Sequence, residues 1–175
     1  MRKILIIPAF LLLTAFPVQK AAAQSRLSES ASRLLDECRT LFCQGDYNAA
    51  GPVLDEWAKR ATEQSLALTE EVEFMQVVID AERDLTTAMP ARQIFMSKYP
   101  QSIYNNRLLA LMGSSHFSLH EYAEAIECFD ESDPLLLEEK DCLRMVRHNA
   151  ISLIRCGRIQ EGYMQLSILE RMVDD

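Results

Sequence analysis

The sequence predicts an all-α chain built from four antiparallel helix pairs. Three observations carry that expectation. Apolar residues recur at the helical period along most of the chain, and no short segment alternates cleanly enough to be a strand. A polar turn followed by a small residue returns at regular intervals, with the small residues at 50, 91, 125 and 162. Only 5 glycines and few β-branched runs leave little material for an all-β fold.

The first residues read as a targeting segment. Arg2 and Lys3 precede an apolar stretch over 4–16, and Ala21-Ala22-Ala23 supplies a small-x-small cleavage signal. The apolar run is short of the roughly 20 residues a membrane span needs. The expectation is a signal peptide at 1–23, a mature domain at 24–175 and export, to the periplasm or the outer membrane. The first cysteine is Cys38, so no lipid-modified cysteine is offered. Cleavage would remove three basic residues and no acidic one, leaving 15 against 26 and a net charge of −11.

The first pair spans 29–61. Leu34, Leu35, Cys38, Leu41 and Phe42 form one helical face over 29–43. Asp46 suits an N-cap, and Ala50, Val53, Leu54 and Trp57 give a second helix over 47–61. Gly51-Pro52 inside it calls for a late start or a kink. The second pair spans 69–98, with helices at 69–84 and 87–98 and Thr69 as N-cap. The third, 104–132, follows a stop at Tyr99-Pro100 and has helices at 104–118 and 121–132, with Ser102 able to start the first of them. The fourth, 135–173, has Asp133-Pro134 as cap and first residue, then helices at 135–155 and 159–173.

The turns read alike: Cys43-Gln-Gly-Asp-Tyr47, Ser118-Leu-His-Glu-Tyr122 and Cys156-Gly-Arg-Ile159. A small residue lets two helix backbones approach. The larger residue four later (Leu54, Phe95, Phe129 or Leu166) fills the space between neighbouring pairs. No single pair can bury its faces alone, so stacking supplies the core.

Leu109, Met112-Gly113, Tyr122, Ala125 and Phe129 in the third copy, with Gly45-Asp46-Tyr47 and Ala50 in the first, resemble the tetratricopeptide repeat family. Phe95-x-x-x-Tyr99-Pro100-x-Ser102 and the 122–137 stretch are similar to the exported tetratricopeptide proteins of Bacteroidetes. Gly162, where the family carries Ala, and Gly51-Pro52 depart from the pattern. The resemblance covers about 29–173. It implies a right-handed α-solenoid acting as an interaction scaffold of the bacterial cell envelope.

The family's inner wall is lined by residues of each pair's first helix. Carried over, that wall holds Arg39 and Phe42 in the first copy, Arg107 and Phe117 in the third, and Arg144, Arg147, Ile151 and Arg155 in the fourth. Arginine can grip a carboxylate with two parallel hydrogen bonds, and phenylalanine can hold apolar side chains. The implied partner is a protein or peptide of acidic character, and membrane association would run only through that partner. The competing reading has the same arginines paired with neighbouring acids.

Composition narrows the rest. The chain has 175 residues, 49% hydrophobic and 25% charged, enough for one domain with a core and too apolar for disorder. A net charge of −8 does not suit a general nucleic-acid binder. No nucleophile elbow, phosphate loop or metalloprotease motif occurs, so neither enzyme activity, cofactor nor small-molecule substrate is expected. His116 and His120 have metal-like spacing, but the second falls in a turn, and a turn pair is the preferred reading. Cys38 and Cys43 point about 140° apart on a helix and should not bridge. A metal-binding or enzymatic accessory domain, and a spacer truncated from a longer repeat protein, are the alternatives in function.

Overall fold

The computed structural model describes residues 15–61, 66–83 and 85–174. The expected export segment lies outside the described residues over 1–14. Among the described residues there are eight α-helices, one 3-10 turn and no strand. They are α1 Ala15–Gln44, α2 Tyr47–Arg60, α3 Leu66–Arg83, α4 Leu85–Lys98, α5 Asn105–Ser118, α6 Tyr122–Glu131, α7 Glu139–Arg155 and α8 Ile159–Asp174. The chain divides into two compact units, one ending at Leu66 and the other running from Ala67. No described helix is long and apolar enough to cross a membrane.

In the first unit, α1 and α2 pack face to face. α1 begins well ahead of the expected 29, because Ala21-Ala22-Ala23 and the residues around it are good helix formers. Pro17 sits in the first turn, where its missing N–H costs nothing. Leu35, Cys38, Phe42, Ala50, Leu54 and Trp57 are all buried between the two helices. The Cys38 thiol lies 3.7 Å from the Ala50 carbonyl, a spacing open only to small side chains. Asp46 caps α2 by accepting from the Ala49 N–H at 3.1 Å. Pro52 neither delays nor ends α2; it is exposed, one turn past the start.

In the second unit, Phe74, Val78 and Ile79 of α3, Phe95 of α4 and Leu108 of α5 are all buried. The Phe74 ring stacks on Tyr104 at 4.2 Å and tilts against Phe95 at 6.3 Å. A core cluster gathers Ala110, Ala125, Phe129, Cys142, Met145 and Val146 from α5, α6 and α7. α7 packs in turn on α8. Thr69 lies inside α3 rather than capping it, since helical residues run back to Leu66.

Three hairpin turns share one construction. Gly45, His120 and Gly157 each adopt a left-handed conformation, at φ 78°, 64° and 81°. In each, the N–H of that residue reaches back three residues and the next N–H reaches back five: Asp46 to Leu41, Glu121 to His116 and Arg158 to Leu153. This is the Schellman ending of a helix. The small residues at 50, 125 and 162 follow five positions later in every case. Ala50 and Ala125 are fully buried. Gly162 has no room for an alanine: a Cβ there would stand 2.5 Å from Ile154 Cγ1 and 2.8 Å from the Ala150 carbonyl oxygen. In the second copy the corresponding position, 86, lies inside α4.

The expected helix over 135–155 is divided. Asp133 accepts from the Leu135 N–H at 2.9 Å and starts a single 3-10 turn, Pro134–Leu136. Leu137 and Glu138 are then extended, and α7 starts at Glu139. The cause is the anchoring of this segment to α5. Asn106 accepts from the Asp133 N–H at 2.6 Å and donates to its carbonyl at 2.9 Å.

Candidate functional site

The second unit brings α5 and α7 together, and with them Arg107, Phe117, Arg144, Arg147, Ile151 and Arg155. Arg39 and Phe42 belong to the first unit. Arg39 pairs with Asp36 at 3.0 Å. Phe42 is buried and meets Tyr47 edge to face at 5.3 Å, so its ring is part of the core.

Asp141 organises the α5–α7 seam. Its side chain is only 2% exposed, and two arginines hold it. Arg107 Nε stands 2.7 Å from Oδ2, and Arg144 Nη2 donates to Oδ1. Glu138 adds a longer contact to Arg107 at 3.6 Å, and the guanidinium sits 5.8 Å over the Phe74 ring. A buried carboxylate needs such partners, because desolvation penalises an unpaired charge. Asp141 also lies in the first turn of α7, where the helix dipole favours an anion. Arg107 is therefore tied to neighbouring acids and is not free to meet a partner.

Phe117 is half-buried and lies flat on His148, with ring centroids 4.2 Å apart and planes 9° apart. Burial, then Arg147 and Arg144 nearby, push the His148 pKa down to about 4, so the imidazole is neutral at ordinary pH. Arg147, Ile151 and Arg155 recur every four residues along α7, and both arginines are exposed. Lys140, Leu143, Arg144, Arg147 and Leu169 line a surface depression of about 430 Å³ between α7 and α8.

A second, smaller pocket of about 270 Å³ lies where α3, α4, α5 and α7 meet. Its wall includes Glu82, Arg92, Ser114, Ser115, Arg144 and His148. Arg92 is 3% exposed and donates from Nη1 to the Ser115 hydroxyl at 2.8 Å. Burial lowers its pKa to about 10, with Glu82 pulling it up and Arg144 pressing it down, so it remains a cation. Its Nε, the Ser114 hydroxyl and His148 Nδ1 are buried with no hydrogen-bond partner.

The remaining candidates have local roles. His116 Nδ1 lies 2.7 Å from Glu121, and His120 Nδ1 lies 3.1 Å from the Tyr122 hydroxyl, both within the turn. All five cysteines carry free thiols. Burial raises the pKa of Cys128 and Cys142, which keeps them as thiols.

Arg92 and Asp141 were not among the residues singled out from sequence. Asp141 reads as an ordinary acidic residue of a first turn. Arg92 follows Ala91 in a helix and carries no mark that separates a buried arginine from a solvated one.

Comparison of the chain with protein-family models, with curated proteins and with solved structures finds no match.

Proposed function

We propose that the protein is a non-catalytic scaffold of the tetratricopeptide-repeat type, exported to the bacterial cell envelope, that binds an acidic protein or peptide. The observation that carries the reading is the depression between α7 and α8. Three cationic side chains, Lys140, Arg144 and Arg147, surround two leucines, Leu143 and Leu169. A partner offering carboxylates around an apolar side chain would complement it in both charge and hydropathy. This basic patch sits on a chain whose net charge is −8, so it is a local feature and not a reflection of composition.

The shared Schellman turns, the fixed five-residue step to a small residue and the packing of α5 on both α6 and α7 support the repeat reading. The basic, apolar-flanked segment at 1–23 supports export.

The test is crosslinking in a producing cell, followed by binding measurements with the recovered partner. Lys140→Glu combined with Arg147→Glu reverses the exposed charge and leaves the Asp141 pairings in place. Binding should weaken at least ten-fold and lose most of its salt dependence. Unchanged affinity and salt dependence in that double variant would reject the reading.

A further inference from the structure

The pocket floored by Arg92 is separate in residues and chemistry from the basic depression, apart from Arg144 at its edge. Arg92 offers five N–H donors in a rigid fork. Ser115 takes one of them, and Nε is sealed from water without a partner. Two further buried groups on the same wall, the Ser114 hydroxyl and His148 Nδ1, are also unpartnered. Native interiors seldom leave three polar groups unpaired, and all three belong to residues that line this cavity.

We propose that this pocket binds a small carboxylate monoanion, held by the Arg92 and Arg144 guanidiniums and the Ser114 hydroxyl. Planar guanidiniums match a carboxylate in geometry. The charge around the cavity selects a monoanion over a dianion. Glu82 stands on the rim, His148 is neutral, and Arg144 already shares its charge with Asp141, which leaves Arg92, among the described lining residues, as the cation without a carboxylate hydrogen-bonded to it. About 270 Å³ accommodates a short-chain acid or a single acidic side chain and little more. The site does not rest on the α7–α8 reading, and either can stand without the other.

The experiment is a titration of the full chain followed by nitrogen–proton NMR of the arginine Nε–H and histidine resonances. The probes are sodium acetate, inorganic phosphate, a blocked glutamate dipeptide amide, and sodium chloride at matched ionic strength. Acetate is expected to shift Arg92 Nε–H saturably, with chloride giving no saturable change. Ser114→Ala loses a hydroxyl that has no partner in the fold, so it should stay folded and bind about ten-fold more weakly. Arg92→Gln should abolish the shift of the His148 resonances. If that variant fails to fold, the Ser114→Ala comparison decides alone.

Saturation by acetate supports a free carboxylate, and saturation by the blocked glutamate only supports an acidic side chain as the source. No saturable shift with either probe, tighter binding of phosphate than of acetate, or equal binding by Ser114→Ala would each overturn the proposal.

Discussion

Arg107 on α5 reaches across to α7 and holds its Nε 2.7 Å from Oδ2 of Asp141. The other carboxylate oxygen takes Arg144 from the same helix. One aspartate therefore ties two helices of different hairpins, and its removal takes a buried carboxylate from two arginines at once. Asp141→Ala should cost about 2–4 kcal/mol in urea unfolding, near the cost of breaking a buried pair. Arg107→Met keeps an unbranched apolar side chain and leaves Asp141 with Arg144, so about 1–2 kcal/mol is expected. A larger loss for the arginine than for the aspartate would contradict this account of the seam.

Close approach of helices gives a second prediction. A Cβ at Gly113 would lie 2.5 Å from the Phe129 ring, and one at Gly162 would lie 2.8 Å from the Ala150 carbonyl. Alanine at either position should destabilise by about 1–3 kcal/mol, overriding its higher helix propensity. Leucine in place of Ala125, which is fully buried, should cost a similar amount. The two glycines differ in how they can be rescued. Phe129→Leu should recover part of the Gly113→Ala loss, while no side-chain change can move the backbone oxygen facing Gly162. Melting curves equal to the parent chain would reject these packing positions.

His120 occupies the left-handed turn position that Gly45 and Gly157 fill elsewhere. A residue with a Cβ pays for that conformation, so His120→Gly should stabilise by about 0.5–1 kcal/mol despite losing the exposed contact with Tyr122. His120→Val should destabilise by at least as much. Thermal melts of the two variants against the parent would check the sign.

The pH dependence of stability should carry the signature of His148. Its pKa in the fold is about 4, below the ordinary value of 6.5, so between those limits the unfolded chain binds the extra proton. Stability should be full above about pH 6.5 and fall as the pH drops towards 4, by on the order of 1–3 kcal/mol. The charged groups around the ring and its pocket are Arg144, Arg147, Arg92 and Glu82. His148→Gln should flatten that part of the profile. A parent and variant with parallel profiles from pH 7 to 4 would refute the assignment.

Much of the helical layout was legible in the residues. The apolar period located the helices, and the recurring turn followed by a small residue placed the hairpins. The boundaries that moved did so for local reasons. Ala21–Ala23 carry α1 backwards, and the Leu135-Leu136-Leu137 run resembles a helix start until Asn106 pins Asp133 from another helix. The site was less legible. Arg144 and Arg147 were picked out, but the residues that give them meaning are distant in sequence. Asp141 gains its role from Arg107 on another helix, and Arg92 becomes a buried cation only when α3, α5 and α7 close around it. Periodicity reports which side of a helix is buried, and it does not report which charge is buried with it.

The uniform turns also constrain how the chain can vary in length. In three hairpins the left-handed residue and the small residue are locked five positions apart. One inserted residue between them would rotate the second helix by about 100° and carry the small residue off the seam. Insertions and deletions are therefore expected to accumulate outside these turns, at junctions such as 133–138, where extended backbone between Leu136 and Glu139 can absorb a change of register. A library of single-residue insertions across the chain should show that division as folded and unfolded members, with the hairpin turns as its intolerant points.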